Sequence, residues 1–178
     1  MTSFYSEEEL KSLGLKKVGT KVLISRNASL YGTSQIEIGD NVRIDDFCIL
    51  SGDIKIGCNV HISAYSALYG KYGIILEDYT GISPRSSIFS AMDDFSGDYL
   101  IGPIHQDYQI NVIGGPVVIK KYSQIGTNCV VFPNVTIEEG AVVGAMSLVN
   151  RNIPQWTIYV GIPAKFLKQR SDNLLELL

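Results

Sequence analysis

The sequence is poor in groups that bind metal, cross a bilayer or hold nucleic acid. Two histidines among 178 residues cannot furnish the three imidazoles of a simple catalytic zinc site. Three cysteines, Cys48, Cys58 and Cys129, are odd in number and lack metal spacing; they give no disulfide framework and fit a reducing compartment. Lysine and arginine never run beyond the pairs Lys16-Lys17 and Lys120-Lys121, and the net charge is −3, so no extended basic surface awaits a phosphate backbone. No apolar run approaches the roughly 18 residues of a membrane span. The opening Met1-Thr-Ser-Phe-Tyr-Ser-Glu-Glu-Glu9 has neither the basic nor the apolar part of a signal peptide, and a cytoplasmic location is expected. What the chain does have is 46% apolar residues and 17 glycines. That suffices for one folded domain, expected to span residues 1–178.

The apolar residues are not scattered. Aliphatic side chains recur every sixth position at Ile38, Ile44, Leu50, Ile56, Ile62 and Leu68, slip by two, resume at Leu76, Ile82 and Ile88, and return at Ile119, Ile125, Val131, Ile137, Val143 and Val149. Ile24 and Leu30 keep the same beat. Four positions after each comes a small or β-branched residue such as Val42, Cys48, Ser66 or Cys129. Three positions after, Asn or Gly recurs at Asn27, Asn41, Asn59, Asn128, Asn134 and Gly140, where a left-handed backbone suits a corner. A period of six fits neither a helix face nor a long hairpin sheet. Six residues at about 3.3 Å each make a side of roughly 20 Å. Such sides stack only if the chain coils as a solenoid, here over residues 22–153 with three sides per turn.

The ends and one interruption break the beat. Ser6 and Glu9 form a capping box before Gly14, which predicts a short helix over 6–14 closing one end of the stack. Pro163 opens a segment expected to be helical over 163–178, and Leu174, Leu175, Leu177 and Leu178 are apolar enough to expect packing on a neighbouring surface. Between Ile88 and Ile119 lie 31 steps where one side needs six. The insertion, 91–115, holds Asp93, Asp94 and His105, and loops of that length are usually functional.

The units Ile38-Gly-Asp-Asn-Val-Arg43, Ile56-Gly-Cys-Asn-Val-His61 and Ile125-Gly-Thr-Asn-Cys-Val130, the block from Pro133 to Ser147 and the ending Gly161-Ile-Pro-Ala-Lys165 resemble the hexapeptide-repeat acyltransferases from about Val22 to Lys168. Within that superfamily the chain is similar to the sugar O-acetyltransferases near the galactoside and maltose enzymes. The resemblance implies an all-β, left-handed parallel β-helix and acetyl-CoA as donor, with no metal. It also implies a homotrimer whose three sites lie in clefts between adjacent prisms. Carried over residue by residue, it implies that Thr127 and Ala145 meet the pantetheine through backbone groups, the Thr127 N–H serving as an oxyanion donor. Asn150 and Arg151 fall on the family's Thr-Lys positions, and Lys165 and Lys168 on two bases that meet nucleotide phosphates. The same two lysines would also suit the solvated face of a helix.

Acyl transfer to a hydroxyl or amine needs a proton acceptor and donors toward the growing oxyanion. In the galactoside branch the catalytic His sits five residues after an aliphatic position; here that register delivers Asp93. His61 falls on an acceptor-lining position and is the first candidate base, with Asp93 or Asp94 orienting it across the cleft. His105 in the loop and an aspartate acting alone remain alternatives, since a carboxylate is a weak base near neutral pH unless its pKa is raised. Tyr65 lies where the family places an acceptor-contacting Asn, with Asp94 and His105 as further acceptor contacts. Expected first is acetyl transfer to a sugar or surface-polysaccharide hydroxyl; the alternatives are N-acetylation of a nucleotide-linked amino sugar and a non-catalytic repeat scaffold.

Overall fold

The computed structural model of the chain describes residues 3–177, so Met1, Thr2 and Leu178 lie outside the described residues. Short parallel strands carry the six-residue beat, and strands one coil apart are in register. Val18, Ile38, Ile56, Leu76, Ile119, Ile137 and Ile153 stack along the first face. Ile24, Ile44, Ile62, Ile82, Ile125, Val143 and Tyr159 stack along the second, and Leu30, Leu50, Leu68, Ile88, Val131 and Val149 along the third. The result is a parallel β-solenoid of about 7 turns with very little helix. Its core is the inside of the prism, where Ile44, Ile62, Leu68, Ile88, Ile125 and Val149 are fully buried. Each such side chain contributes about 1.5–3 kcal/mol by leaving water, and inter-coil hydrogen bonds satisfy the backbone between them.

Corners turn three residues after each rung. Asn41, Asn59, Asn128, Asn134 and Gly140 have positive φ there, as the spacing predicts, whereas Asn27 does not. Unexpectedly, Phe47, Tyr65, Tyr79, Arg85, Tyr122 and Trp156 take the same left-handed conformation, which costs a side chain about 1–2 kcal/mol. They stack up the corners. Phe47 lies 4.9 Å from Tyr65, Tyr79 5.4 Å from Tyr122, and Tyr122 6.4 Å from Trp156, while Arg85 sits over Tyr65 at 5.7 Å. Stacking at about 0.5–1.5 kcal/mol per pair offsets part of the strain.

The N-terminal helix α1, Glu7–Ser12, has the predicted capping box between Ser6 and Glu9, and buries Leu10 against the core. The C-terminal expectation fails: among the described residues 163–177 there is no α-helix. Lys165–Gln169 is a strand antiparallel to Thr157–Val160, followed by a 3-10 segment at Asn173–Leu177. The last rung leaves open edge groups, and the tail pairs with them. It is pinned at one end by Ala164 N–H donating to the Leu148 carbonyl at 2.8 Å and at the other by Arg170 donating to the Tyr122 and Gly140 carbonyls at 2.7 and 2.8 Å. No helix among the described residues is long and apolar enough to cross a membrane.

Two departures from the beat shape the surface. Gly70 pairs with Gly52 and Ile74 with Ile54, so three residues, 71–73, oppose the single Asp53 and bulge outward. This is the two-residue slip seen in the sequence. The long insertion leaves after Phe89 as an antiparallel ribbon of Ala91–Asp93 against Val112–Gly114. Tyr72 from the bulge clamps the ribbon, donating through its N–H to Ser90 Oγ at 2.9 Å and through its hydroxyl to the Val112 carbonyl at 3.2 Å.

Candidate active site

Residues flanking a rung point outward, and on the second face they converge. His61 precedes Ile62, Asp45 follows Ile44 one coil earlier, and His61 Nε2 lies 2.8 Å from Asp45 Oδ2. Arg43 Nε donates to the other oxygen of Asp45 at 2.7 Å. Burial alone would raise the Asp45 pKa, but the hydrogen bonds from Arg43 and His61 outweigh it and hold the carboxyl below the usual range. Within the chain the partner of His61 is Asp45; Asp93 and Asp94 were expected to act on it across a cleft between prisms. The sequence signal for it was the frame itself, since residues one before and one after rungs of successive coils are diagonal neighbours.

Beside His61 the next coil has Gly81, and a Cβ there would overlap the Gln124 side chain. A cavity of about 250 Å³ opens at this point, lined among others by His61, Ser63, Ser83 and Gln124. Ser83 was not singled out from sequence. One step along, at the corner after the second face, Thr127 and Ala145 occupy equivalent places of successive coils, and the Met146 N–H donates to the Thr127 carbonyl at 2.8 Å. Neither the Thr127 nor the Ala145 N–H has an acceptor among the described residues. Tyr65 stands at the same edge in its stack with Phe47 and Arg85.

Asp93 is elsewhere. It sits at the root of the insertion, one face further round, in a cavity of about 560 Å³ lined by Tyr69, Lys71, Phe89, Phe95 and Pro103 among others. Asp93 and His61 line different cavities. Asp94 is spent on the loop: it accepts from the Ser96 N–H at 2.9 Å and from Asn111 Nδ2 at 2.8 Å, bonds that hold its carboxyl below the usual range. His105 lies in a turn of the insertion. Asn150 borders a third cavity, of about 250 Å³, with Phe132 and Asn134, and Arg151 is exposed next to it. Lys165 and Lys168 project from the terminal strand, exposed and without an ion pair among the described residues. The buried thiols of Cys48 and Cys129 are inert, burial pushing that of Cys48 up to about 11. No cluster of three potential metal ligands occurs among the described residues.

Stacked hexapeptide coils interrupted by one long loop place the chain among the hexapeptide-repeat proteins. The comparisons carry the assignment further. The chain is 43% identical over 178 residues to a dTDP-4-amino-4,6-dideoxy-D-glucose acyltransferase of Escherichia coli, covering 98% of this chain and 93% of the relative; it belongs to the hexapeptide-repeat acyltransferase superfamily. It is also similar to AntD, an N-acyltransferase from Bacillus cereus, at 50% identity and a TM-score of 0.97 over 99% of this chain and 96% of that one. AntD has been crystallised with dTDP and coenzyme A, and with dTDP and 3-hydroxybutyryl-CoA. The galactoside O-acetyltransferase of Escherichia coli K12 matches at 24% over 84% of this chain and 71% of the relative. No protein-family model matches the sequence. The expected O-acetylation of a sugar hydroxyl is thereby corrected, because the end-to-end relatives act on amino sugars while the O-acetyltransferase is far more distant.

Proposed function

We propose that the chain transfers an acyl group from an acyl-CoA to the amino group of a nucleotide-linked amino-deoxy sugar. The observation that carries this reading is the near-complete match to two N-acyltransferases of that kind. The chemistry of Asp93 supports it. A sugar hydroxyl must lose its proton as it attacks, which calls for a base such as imidazole. An amine attacks with its own lone pair, and the proton to be removed then sits on a cationic nitrogen. Asp93 can hold the acceptor amine and take that proton. The amine nitrogen bonds to the thioester carbon, the proton released from nitrogen passes through Asp93 to the sulfur, the C–S bond breaks, and coenzyme A leaves as the thiol with Asp93 restored as the carboxylate. The Thr127 N–H is suited to the oxyanion, and Ala145 to the pantetheine. Lys165, Lys168, Asn150 and Arg151 are suited to the nucleotide end of coenzyme A.

AntD was crystallised with substitutions at a serine and at an aspartate ten positions further along. Ser83 and Asp93 are the pair at that separation here. They flank the third face of one coil and line different cavities of the chain. A homotrimer, in which the second face of one subunit meets the insertion of the next, brings the two together. A packing surface for it is offered by the third face, whose outward positions include Ile49, Ala67, Val130, Leu148 and Phe132, while those of the first include Lys17, Glu37, Lys55, Glu77, Lys120 and Glu138 beside Ile75 and Val118.

The test is thiol release from acetyl-CoA and 3-hydroxybutyryl-CoA against dTDP-4-amino-4,6-dideoxyglucose, its 4-hydroxy counterpart and simple glycosides. Release with the amino sugar alone is expected. Equal release with the 4-hydroxy compound would overturn the reading.

A further inference from the structure

Resting on that reading, we infer that Lys71, pushed out by the slip in the hexapeptide beat, binds the diphosphate of the acceptor nucleotide, and that the stacked Tyr69–Phe89 pair supports a ring of the same substrate. A regular side would pass from Leu68 to residue 74 in six steps; here it takes eight to reach Leu76. The two surplus residues do different work. Tyr72 is tied into the root of the insertion by its N–H and its hydroxyl, and its ring fills the space that a side chain at position 114 would need, since a Cβ on Gly114 would come within 2.8 Å of it. Lys71 is left facing the cavity of about 560 Å³. Its ammonium makes no ion pair among the described residues and only rests 5.8 Å from the centre of the Tyr72 ring.

The cavity has a matched set of surfaces. Tyr69 and Phe89 are outward residues of adjacent coils, with ring centres 5.1 Å apart and planes 11° from parallel, and Tyr69 is 38% exposed. Both line the cavity, as do Phe95 and Pro103 of the insertion. Lys71 supplies positive charge and Asp93 negative charge within the one space. A nucleotide-linked amino sugar has the complementary layout: a planar base and a sugar ring, a dianionic bridge and one ammonium. Lysine meets phosphate as a point charge, and the apolar wall favours a ring face over water. Coenzyme A also carries a diphosphate. We assign Lys71 to the acceptor because Asp93, the group suited to the acceptor amine, shares its cavity.

The test is the Lys71→Met variant, with Lys71→Arg as the conservative control, read by calorimetric binding of dTDP and, separately, of coenzyme A, and by the two KM values. The expected result is dTDP affinity weakened about 10-fold or more and KM for the amino sugar raised to match. Coenzyme A affinity and KM for acyl-CoA should stay unchanged, with dTDP affinity recovered in the arginine variant. Loss of coenzyme A binding with dTDP binding intact would overturn the assignment in favour of the donor. Unchanged dTDP affinity in an active Lys71→Met enzyme would overturn it while leaving N-acyl transfer standing. A wild-type protein that neither binds dTDP nor acylates the amino sugar would overturn both.

Discussion

The coils from Ile119 to Val149 and the stretch from Leu68 to Ile119 follow one rule on the inside and differ on the outside. In both, one aliphatic residue per side enters a ladder continuous with its neighbours. In the later coils each side takes six residues, and the corners are made by Tyr122, Asn128, Asn134, Gly140 and Met146. In the earlier stretch the count breaks twice, once to extrude Lys71 and Tyr72 and once to release the insertion with Asp93. The ladder tolerates extra chain because the extra residues leave at a corner and the next rung re-enters in register. Stability lies in the regular count, and the acceptor chemistry proposed above lies in its interruptions.

That contrast can be broken from either side. Asp93→Asn removes a proton acceptor from an interruption; kcat should fall about 10²- to 10⁴-fold while the thermal midpoint is unchanged. If Ser83 and Asp93 of different subunits share a site, co-expressing Ser83→Ala with Asp93→Asn should restore part of the activity that each variant lacks alone. Ile125→Ala should do the reverse, costing about 2–5 kcal/mol in denaturant unfolding while KM for the acceptor stays at the wild-type value. Both substrates should bind normally to Gly140→Ala, but its stability should drop by about 1–3 kcal/mol, because the residue needs φ of +66° and a Cβ would overlap the Trp156 ring. The smallest effect concerns Asp45, whose pKa is lowered in the folded state by Arg43 and His61. A lowered folded-state pKa gives stability that is present above the unfolded value of about 3.9 and is lost as pH falls through the folded one. Wild type and Asp45→Asn should therefore differ in urea midpoint at pH 7 and converge below pH ~4.

The rungs and most Asn corners were legible because spacing alone reports them. The tyrosine corners were not, since a left-handed Tyr65 or Tyr79 is disfavoured locally and is held by stacking on an aromatic ring of another coil, distant in the chain. Periodicity placed His61 on an outer face but did not name its neighbour; Asp45 emerges only when successive coils are laid one on another. Pro163 suggested a helix start, yet the open edge of the last rung was the stronger local demand. Asp93 stood out as the residue in a histidine's register. The meaning proposed for that exchange, an amine in place of a hydroxyl, lay outside what spacing encodes.

The most direct measurement is the linkage in the product. The protein is incubated with an acyl-CoA and dTDP-4-amino-4,6-dideoxyglucose, and the product is weighed by mass spectrometry before and after neutral hydroxylamine, which cleaves esters and spares amides. One acyl group retained through the treatment is the predicted result. An acyl group lost to hydroxylamine, or an untouched amino sugar beside an acylated simple glycoside, would contradict it.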